Sequence, residues 1–163
     1  MRTGNALPPH HSSSTITIVS GGQTGADRAA LDWALAHKVP CDGWCPKGRK
    51  AEDGPIDAKY PLKKTPSAAY VQRTEWNVRN SDATVLFSIE PTLTGGSLKT
   101  VDFARKHQKP QLHLCARDHS AADKLRAFVR QNRVNVLNVA GPRVSKEPGV
   151  GEFVMRTLEE AFG

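Results

Sequence analysis

Strand-like and helix-like stretches alternate along most of the chain, which predicts an α/β protein built as a three-layer α/β/α sandwich around a mainly parallel sheet. Three observations carry this. The alternation calls for crossover connections of the βαβ kind, which set consecutive strands in parallel. The strand-like runs are near-continuously apolar, as in ATVLFSI at 83–89, and this suits strands covered on both faces. Two glycine-rich segments, at 20–28 and 94–97, each stand where a strand gives way to a helix. A Rossmann-like sheet of this kind takes its ligands beyond the carboxyl ends of the strands, so those segments are where function is expected.

Residues 1–15, rich in Ser, Pro and Gly, read as a flexible tail ahead of a single ligand-binding domain at 16–163. The β-branched run TITIVS at 15–20 is the first strand. Ala26, Ala29, Ala30, Trp33, Ala34 and His37 then recur at helical spacing, Leu31 and Leu35 widen the apolar face, and Pro40 stops the helix. Residues 41–45 form a second short strand. The polar, charged run KGRKAEDGPIDAK within 46–60 reads as an exposed loop. A helix follows at 70–81, a strand at 83–89 and a helix at 97–107, which Pro110 ends. The remainder is a strand at 111–115, an amphipathic helix at 121–131, a fifth strand at 134–139 and a last helix at 151–162. Phe153, Val154, Leu158, Ala161 and Phe162 mark one face of that last helix.

With 163 residues, 38% of them hydrophobic, the chain suits one core rather than two. No apolar run approaches the ~20 residues needed to span a bilayer. Residues 1–15 lack the apolar core of a secretory signal, so a cytoplasmic protein without membrane contact is expected. Lys and Arg number 23 against 16 Asp and Glu, a net charge of +7 that points to an anionic partner: a nucleotide, a phosphate ester or a nucleic acid. Cys41, Cys45 and Cys115 are too few for a disulfide framework. The Cys41/Cys45 spacing finds no neighbours to complete a four-ligand site, so no metal held by protein side chains is expected.

Four segments carry the chemistry. In the first, Gly21, Gly22 and Gly25 let backbone N–H groups turn toward a ligand at a helix N-terminus, and Gln23 and Thr24 add polar side chains. Asp27 is placed to cap the helix and Arg28 to reach an anion. The segment is neither the G-x-G-x-x-G fingerprint nor a P-loop, which needs G-K-[ST]. The second, Thr94-Gly95-Gly96-Ser97, repeats the arrangement, with Ser97 as a natural N-cap. Together the two turns are expected to face each other across one phosphate-binding cleft. The third holds Lys47, Arg49 and Lys50, either a solvated face or a mobile lid over an anionic ligand. The fourth, from Arg73 to Asp82, puts Arg73, Trp76, Asn77 and Asn80 on one helix face, with Arg73 and Asn77 facing ligand and Glu75 paired to Arg79 four residues on. Neither a G-x-S-x-G elbow nor H-E-x-x-H is present.

The segments SGGQTGADRAALDWA, GWCPKGRKAEDGPI, YPL, RTEWNVRNSDATVLF and TGGS, with AGPR at 140–143, resemble the putative molybdenum carrier family over nearly all of the chain except the tail. The resemblance implies a Rossmann-like fold shared with molybdenum cofactor carrier proteins and, more distantly, with the lysine-decarboxylase-like phosphoribohydrolases. It also implies a homo-oligomer that binds the molybdenum cofactor (molybdopterin), whose metal comes with the ligand. Measured against the phosphoribohydrolases, Arg73 keeps its place eight residues before Ser81-Asp82-Ala83, but Thr74 stands where a Lys is usual. Their G-G-x-G-T-x-x-E becomes Gly95-Gly96-Ser97-Leu98-Lys99-Thr100-Val101-Asp102, with the third Gly and the Thr out of register and Asp for Glu. An N-glycosidic hydrolase needs a positioned carboxylate, so this departure weighs against turnover.

The leading expectation is thus a binding or carrier protein for a phosphate-bearing small molecule, a pterin phosphate or a nucleotide, held at the two glycine-rich turns. The alternative is an enzyme acting on nucleotides, a nucleoside-monophosphate phosphoribohydrolase with Arg73, Glu75 and Asp102 as candidate catalytic groups. A nucleotide-signal sensor or DNA-binding protein comes last, because no helix clusters base-reading side chains.

Overall fold

A computed structural model describes residues 16–163, and the tail expected at 1–15 lies outside the described residues. In chain order the elements are β1 (Thr17–Val19), α1 (Ala26–Ala36), β2 (Cys41–Asp42), β3 (Trp44–Cys45), β4 (Lys63–Lys64), α2 (Tyr70–Arg79), β5 (Ala83–Ser88), α3 (Gly96–Lys106), β6 (Gln111–Cys115), α4 (Ala121–Gln131), β7 (Val136–Ala140) and α5 (Val150–Phe162). Five strands make the main sheet, in the order β2-β1-β7-β5-β6, and every pairing in it is parallel. Ile18 sits opposite Cys41 on one side and Leu137 on the other, while Val85 sits opposite Val139 and Leu112. The expected α/β/α sandwich is the observed one.

Strand periodicity sorts the two faces. Val85 and Phe87 of β5 join Leu137 and Val139 of β7 in the main core, under Trp33 of α1, Leu125 of α4 and Phe153 of α5. Phe87 and Phe153 meet edge to face, with ring centroids 5.4 Å apart. The alternate positions, Thr84 and Asn138, point the other way and pair across the strands, Asn138 Nδ2 donating to Thr84 Oγ1 at 3.2 Å. That side carries α2 and α3, which pack against each other. Among the described residues no helix is long and apolar enough to cross a membrane.

Several expectations are corrected. Residues 41–45 are not one strand but two, in different sheets. A Cβ on Gly43 would stand 2.0 Å from the Ser20 carbonyl oxygen, so the chain crosses hard against the end of β1 and leaves the main sheet there. Beyond it β3 pairs in parallel with β4, a strand the sequence reading missed. The 46–60 segment is a loop exposed over most of its length, as expected, but with apolar anchors the expectation did not include. Ala51, Ile56 and Tyr60, with Leu62 just beyond, are buried with Leu31 and Cys45 in a second apolar cluster. Single apolar residues set among charges gave no periodicity to read. Gly95, not Ser97, is the N-cap of α3, and Asp27 makes no capping hydrogen bond to α1. Glu75 does not pair with Arg79: the end of α3 lies beside α2 and offers it Lys106 Nζ at 2.7 Å and His107 Nε2 at 2.8 Å. These nitrogens hold the Glu75 carboxyl below the ordinary carboxylate range, and Arg79 lies over the Trp76 ring instead.

Candidate functional site

The strand order fixes where a site can form. The chain runs outward from β1 to β2, resumes on the other side with β5 and β6, and returns to fill the middle with β7. The loops leaving the carboxyl ends of β1, β7 and β5 therefore meet, as expected at the switch point of an open parallel sheet. They enclose a cavity of about 420 Å³. Gly21 and Gln23 come from the first turn, Thr94 to Ser97 from the start of α3, and Gly141 to Arg143 with Lys146 from the segment after β7. Helix α2 closes the cavity with Tyr70, Arg73 and Asn77. The two glycine-rich turns do stand on one cleft, with the β7 loop as a third wall.

Arg73 is the centre of this arrangement. Its Nη1 donates to Asp27 Oδ2 at 2.9 Å; Asp27 is buried and the Arg73 side chain is 13% exposed. Burial pushes the Asp27 carboxyl above the ordinary carboxylate range, with the Arg73 charge and hydrogen bond opposing it. Gly21 makes room for the guanidinium, since a Cβ there would lie 1.9 Å from Arg73 Nη1. Arg73 Nε is buried and, among the described residues, donates to nothing. Arg143 Nε is likewise buried without a hydrogen bond among the described residues, and Glu52 Oε2 at 3.5 Å gives it only charge contact. Lys146 Nζ stands 2.6 Å from where a Gly95 Cβ would be, which sets a cation over the N-terminus of α3, an end already of positive sign. Arg73, Lys99, Arg143 and Lys146 line the cavity against the single carboxylate of Asp27. The charged side chains of the wall are thus predominantly cationic.

Of the residues singled out in the sequence, the cavity wall includes Gly21, Gln23, Asp27, Arg73, Asn77, Thr94, Gly95, Gly96 and Ser97. Asn77 is otherwise engaged: its amide accepts from Trp44 N–H at 2.8 Å and donates to the Trp44 carbonyl at 3.0 Å, tying β3 to α2. The others do not line it. Gly22 packs under Leu62 and Ile56, and Gly25, at φ 82, presses on the Pro142 carbonyl. Thr24 donates to Glu52, and Arg28 pairs with Asp53 while donating to the Gly22 carbonyl at 3.0 Å. Lys47 is exposed, and Lys50 lies over the Tyr70 ring with its Nζ 4.7 Å from the centroid. Arg49 turns inward and donates to the carbonyls of Ile56, Asp57, Tyr60 and Leu62. Glu75 and Asp102 are not in the wall.

The sequence reading missed Tyr70, Lys99, Asn138, Arg143 and Lys146. The signal lay in AGPR at the carboxyl end of β7, the same position relative to its strand as the two glycine turns. Among the described residues no His, Cys, Asp and Glu cluster could hold a metal ion.

Glu52 holds the site's supporting loops together. Its carboxylate accepts from Thr24 Oγ1, from Ser145 N–H at 3.2 Å and from Ser145 Oγ at 2.6 Å, while its own N–H donates to Gln23 Oε1 at 2.9 Å. Hydrogen bonds, those from Ser145 and Thr24 foremost, lower its pKa below the ordinary carboxylate value. A lowered pKa in the folded state gives stability that is present above the unfolded pKa and lost as pH falls through the folded one. Amide protection factors at 50–54 and 143–146 are therefore expected to fall on acidification through that window, and in Glu52→Gln to be low already at neutral pH. Equal protection in the two proteins at pH 7 would remove Glu52 from this role.

Comparison with known proteins bears on the family and the fold. The family described as circularly permutated YpsA SLOG matches residues 18–162. The crystal structure of a putative molybdenum carrier protein from Syntrophus aciditrophicus SB is 42% identical, covers 91% of this chain and 96% of its own, and superposes with a TM-score of 0.87. No curated protein matches.

Proposed function

The chain belongs to the circularly permutated YpsA SLOG family, and from that premise we propose that it is a binding protein for a phosphate-bearing small molecule, with the molybdenum cofactor as its cargo. One observation carries the reading: among the described residues, a cavity at the sheet's switch point presents four cations and two buried, unpartnered guanidinium Nε atoms against one carboxylate. Buried donors without acceptors are costly, and a ligand oxyanion relieves that cost. The similar protein of known structure bears the name of a molybdenum carrier, which is what suggests the cargo. A pterin phosphate fits the donor set: Arg73, Arg143 and Lys146 would hold the phosphate. The metal travels with the cargo and asks for no His or Cys ligands from the protein.

The nucleotide-hydrolase reading needs a carboxylate beside the ligand. In this wall that group is Asp27, not Glu75 or Asp102, and Arg73 already engages it.

Native mass spectrometry of the full chain, incubated anaerobically with molybdenum cofactor, AMP and ADP-ribose in competition, tests the proposal. The cofactor is expected to be retained intact, and Lys146→Ala to weaken retention by about tenfold, as loss of one charge-assisted contact does. Gly96→Ala probes the wall gently, since an added methyl there meets nothing within 4 Å, whereas a Gly22 substitution strikes Leu62 and Ile56 and would report on folding. Retention of a nucleotide in preference to the cofactor, or conversion of AMP to adenine and ribose phosphate, would overturn the carrier reading.

A further inference from the structure

One carboxylate stands among the cations of the cavity wall. Asp27 is 4% exposed and lines the cavity beside Arg73, whose Nη1 donates to its Oδ2 at 2.9 Å. The charged side chains that face it come from three elements. Arg73 reaches it from α2, while Arg28, the next residue of α1, is engaged by Asp53 and the Gly22 carbonyl. Across the cavity are Lys99 of α3, and Arg143 and Lys146 of the segment after β7. Among the described residues no histidine lines the cavity. Burial is the largest influence on the Asp27 carboxyl and favours its neutral form, and Arg73 opposes it.

An oxyanion entering this cavity competes with Asp27 for Arg73. The guanidinium is confined, since Gly21 lies so close that a Cβ there would stand 1.9 Å from Nη1. Its Nε, without a partner among the described residues, is the donor left for a ligand. One planar cation then serves two anions, and their repulsion is strong where water is excluded. Buried as it is, the Asp27 carboxylate gains little relief from solvent. Taking up a proton ends the repulsion and turns the carboxyl from an acceptor into a donor toward the ligand.

We propose that Asp27 is a specificity-determining residue of this site: an oxyanion binds together with a proton, which settles on the Asp27 carboxyl. The inference rests on the reading of the cavity as an anion site. Its sign follows from linkage. A ligand that makes a carboxyl harder to ionise is itself bound more tightly as pH falls, between the carboxyl's free and bound pKa values. The protonated carboxyl then selects a ligand oxygen that accepts a hydrogen bond, and rising pH releases the ligand.

Calorimetric titration of the full chain with sulfate tests this from about pH 5 to pH 8, a range in which sulfate stays a dianion and any proton taken up goes to the protein. In paired buffers of unlike ionisation heat, binding is expected to take up about one proton and to strengthen by up to about tenfold per pH unit of acidification. Asp27→Asn, which keeps an oxygen for Arg73, and the smaller Asp27→Ser both remove the titration. Each is expected to bind sulfate without proton uptake, and at pH 8 about tenfold more tightly than the parent. Lys146→Ala removes a cation and leaves the carboxyl, so it is expected to weaken sulfate about tenfold with the uptake retained. Sulfate binding without uptake anywhere in the range, or uptake that persists in Asp27→Asn and Asp27→Ser, would overturn this inference and leave the anion site standing. Failure of sulfate to bind the parent and both Asp27 variants even at pH 5 would overturn the anion site and this inference with it.

Discussion

Arg73→Ala is expected to abolish ligand retention and to destabilise the fold by about 3–5 kcal/mol, the usual cost of removing one partner of a buried ion pair. Retention fails because the guanidinium is the most deeply placed cation of the cavity wall and brings an unused donor to it. Stability falls because Asp27 is left charged and buried. The pH dependence identifies this cause. Asp27 has a raised pKa in the folded state, so its contribution to stability is full below the unfolded pKa and lost as pH rises through the folded one. The deficit of Arg73→Ala should therefore be small in acid, where the carboxyl takes up a proton, and grow toward neutrality. Asp27→Asn in the same background should recover much of the stability and none of the binding. Gly21→Ala tests the same pair from the backbone, since its methyl would overlap Arg73 Nη1 and drive the guanidinium off Asp27. Urea unfolding of the four proteins at pH 4 and pH 7 decides the matter. A pH-independent deficit would assign the loss to packing.

Arg49→Ala is the second large effect, about 2–4 kcal/mol, because one guanidinium serves four backbone carbonyls that no other side chain reaches within the loop. The loss should be local. Residues 46–62 would become the preferred site of proteolytic cleavage, and the second apolar cluster around Ile56, Tyr60 and Leu62 would open before the main core. Arg49→Lys should recover only part, since an ammonium carries three donors and lacks the planar fork. Unchanged protease resistance in Arg49→Ala would show that the cluster holds the loop without it.

This same residue shows where sequence reasoning stops. A basic residue in a polar, glycine-containing run looks like a surface charge, and nothing in its neighbours says that the chain will curl around it. The large elements were legible because their signals are periodic: 111–115 and 121–131 coincide with β6 and α4, and both glycine turns fell where strands end. Half of the cavity was legible for the same reason, through Gly21, Gln23 and 94–97. The rest depends on strand order, which no local pattern encodes. Arg143 and Lys146 reach the cavity because β7 lies between β1 and β5, and Glu75 leaves it because His107 and Lys106 arrive from α3.

That β7 lies centrally has a consequence for how the protein is made. During synthesis β1 with β2, and β5 with β6, emerge from the ribosome as separate half-sheets, each with an inner edge whose N–H and C=O groups await a strand. Only when residues 136–140 are released can the two halves be joined. The Thr17–Val136 and Ala83–Leu137 pairings span more than a hundred and more than fifty residues of chain, loop closures that slow folding. The nascent chain thus carries one unprotected edge once β1 and β2 have formed and a second once β5 and β6 follow, a stage at which holdase chaperones would find it. The cleft itself is not complete until the same strand is in place, since its wall includes Asn138 to Ala140 of β7 and the segment that follows.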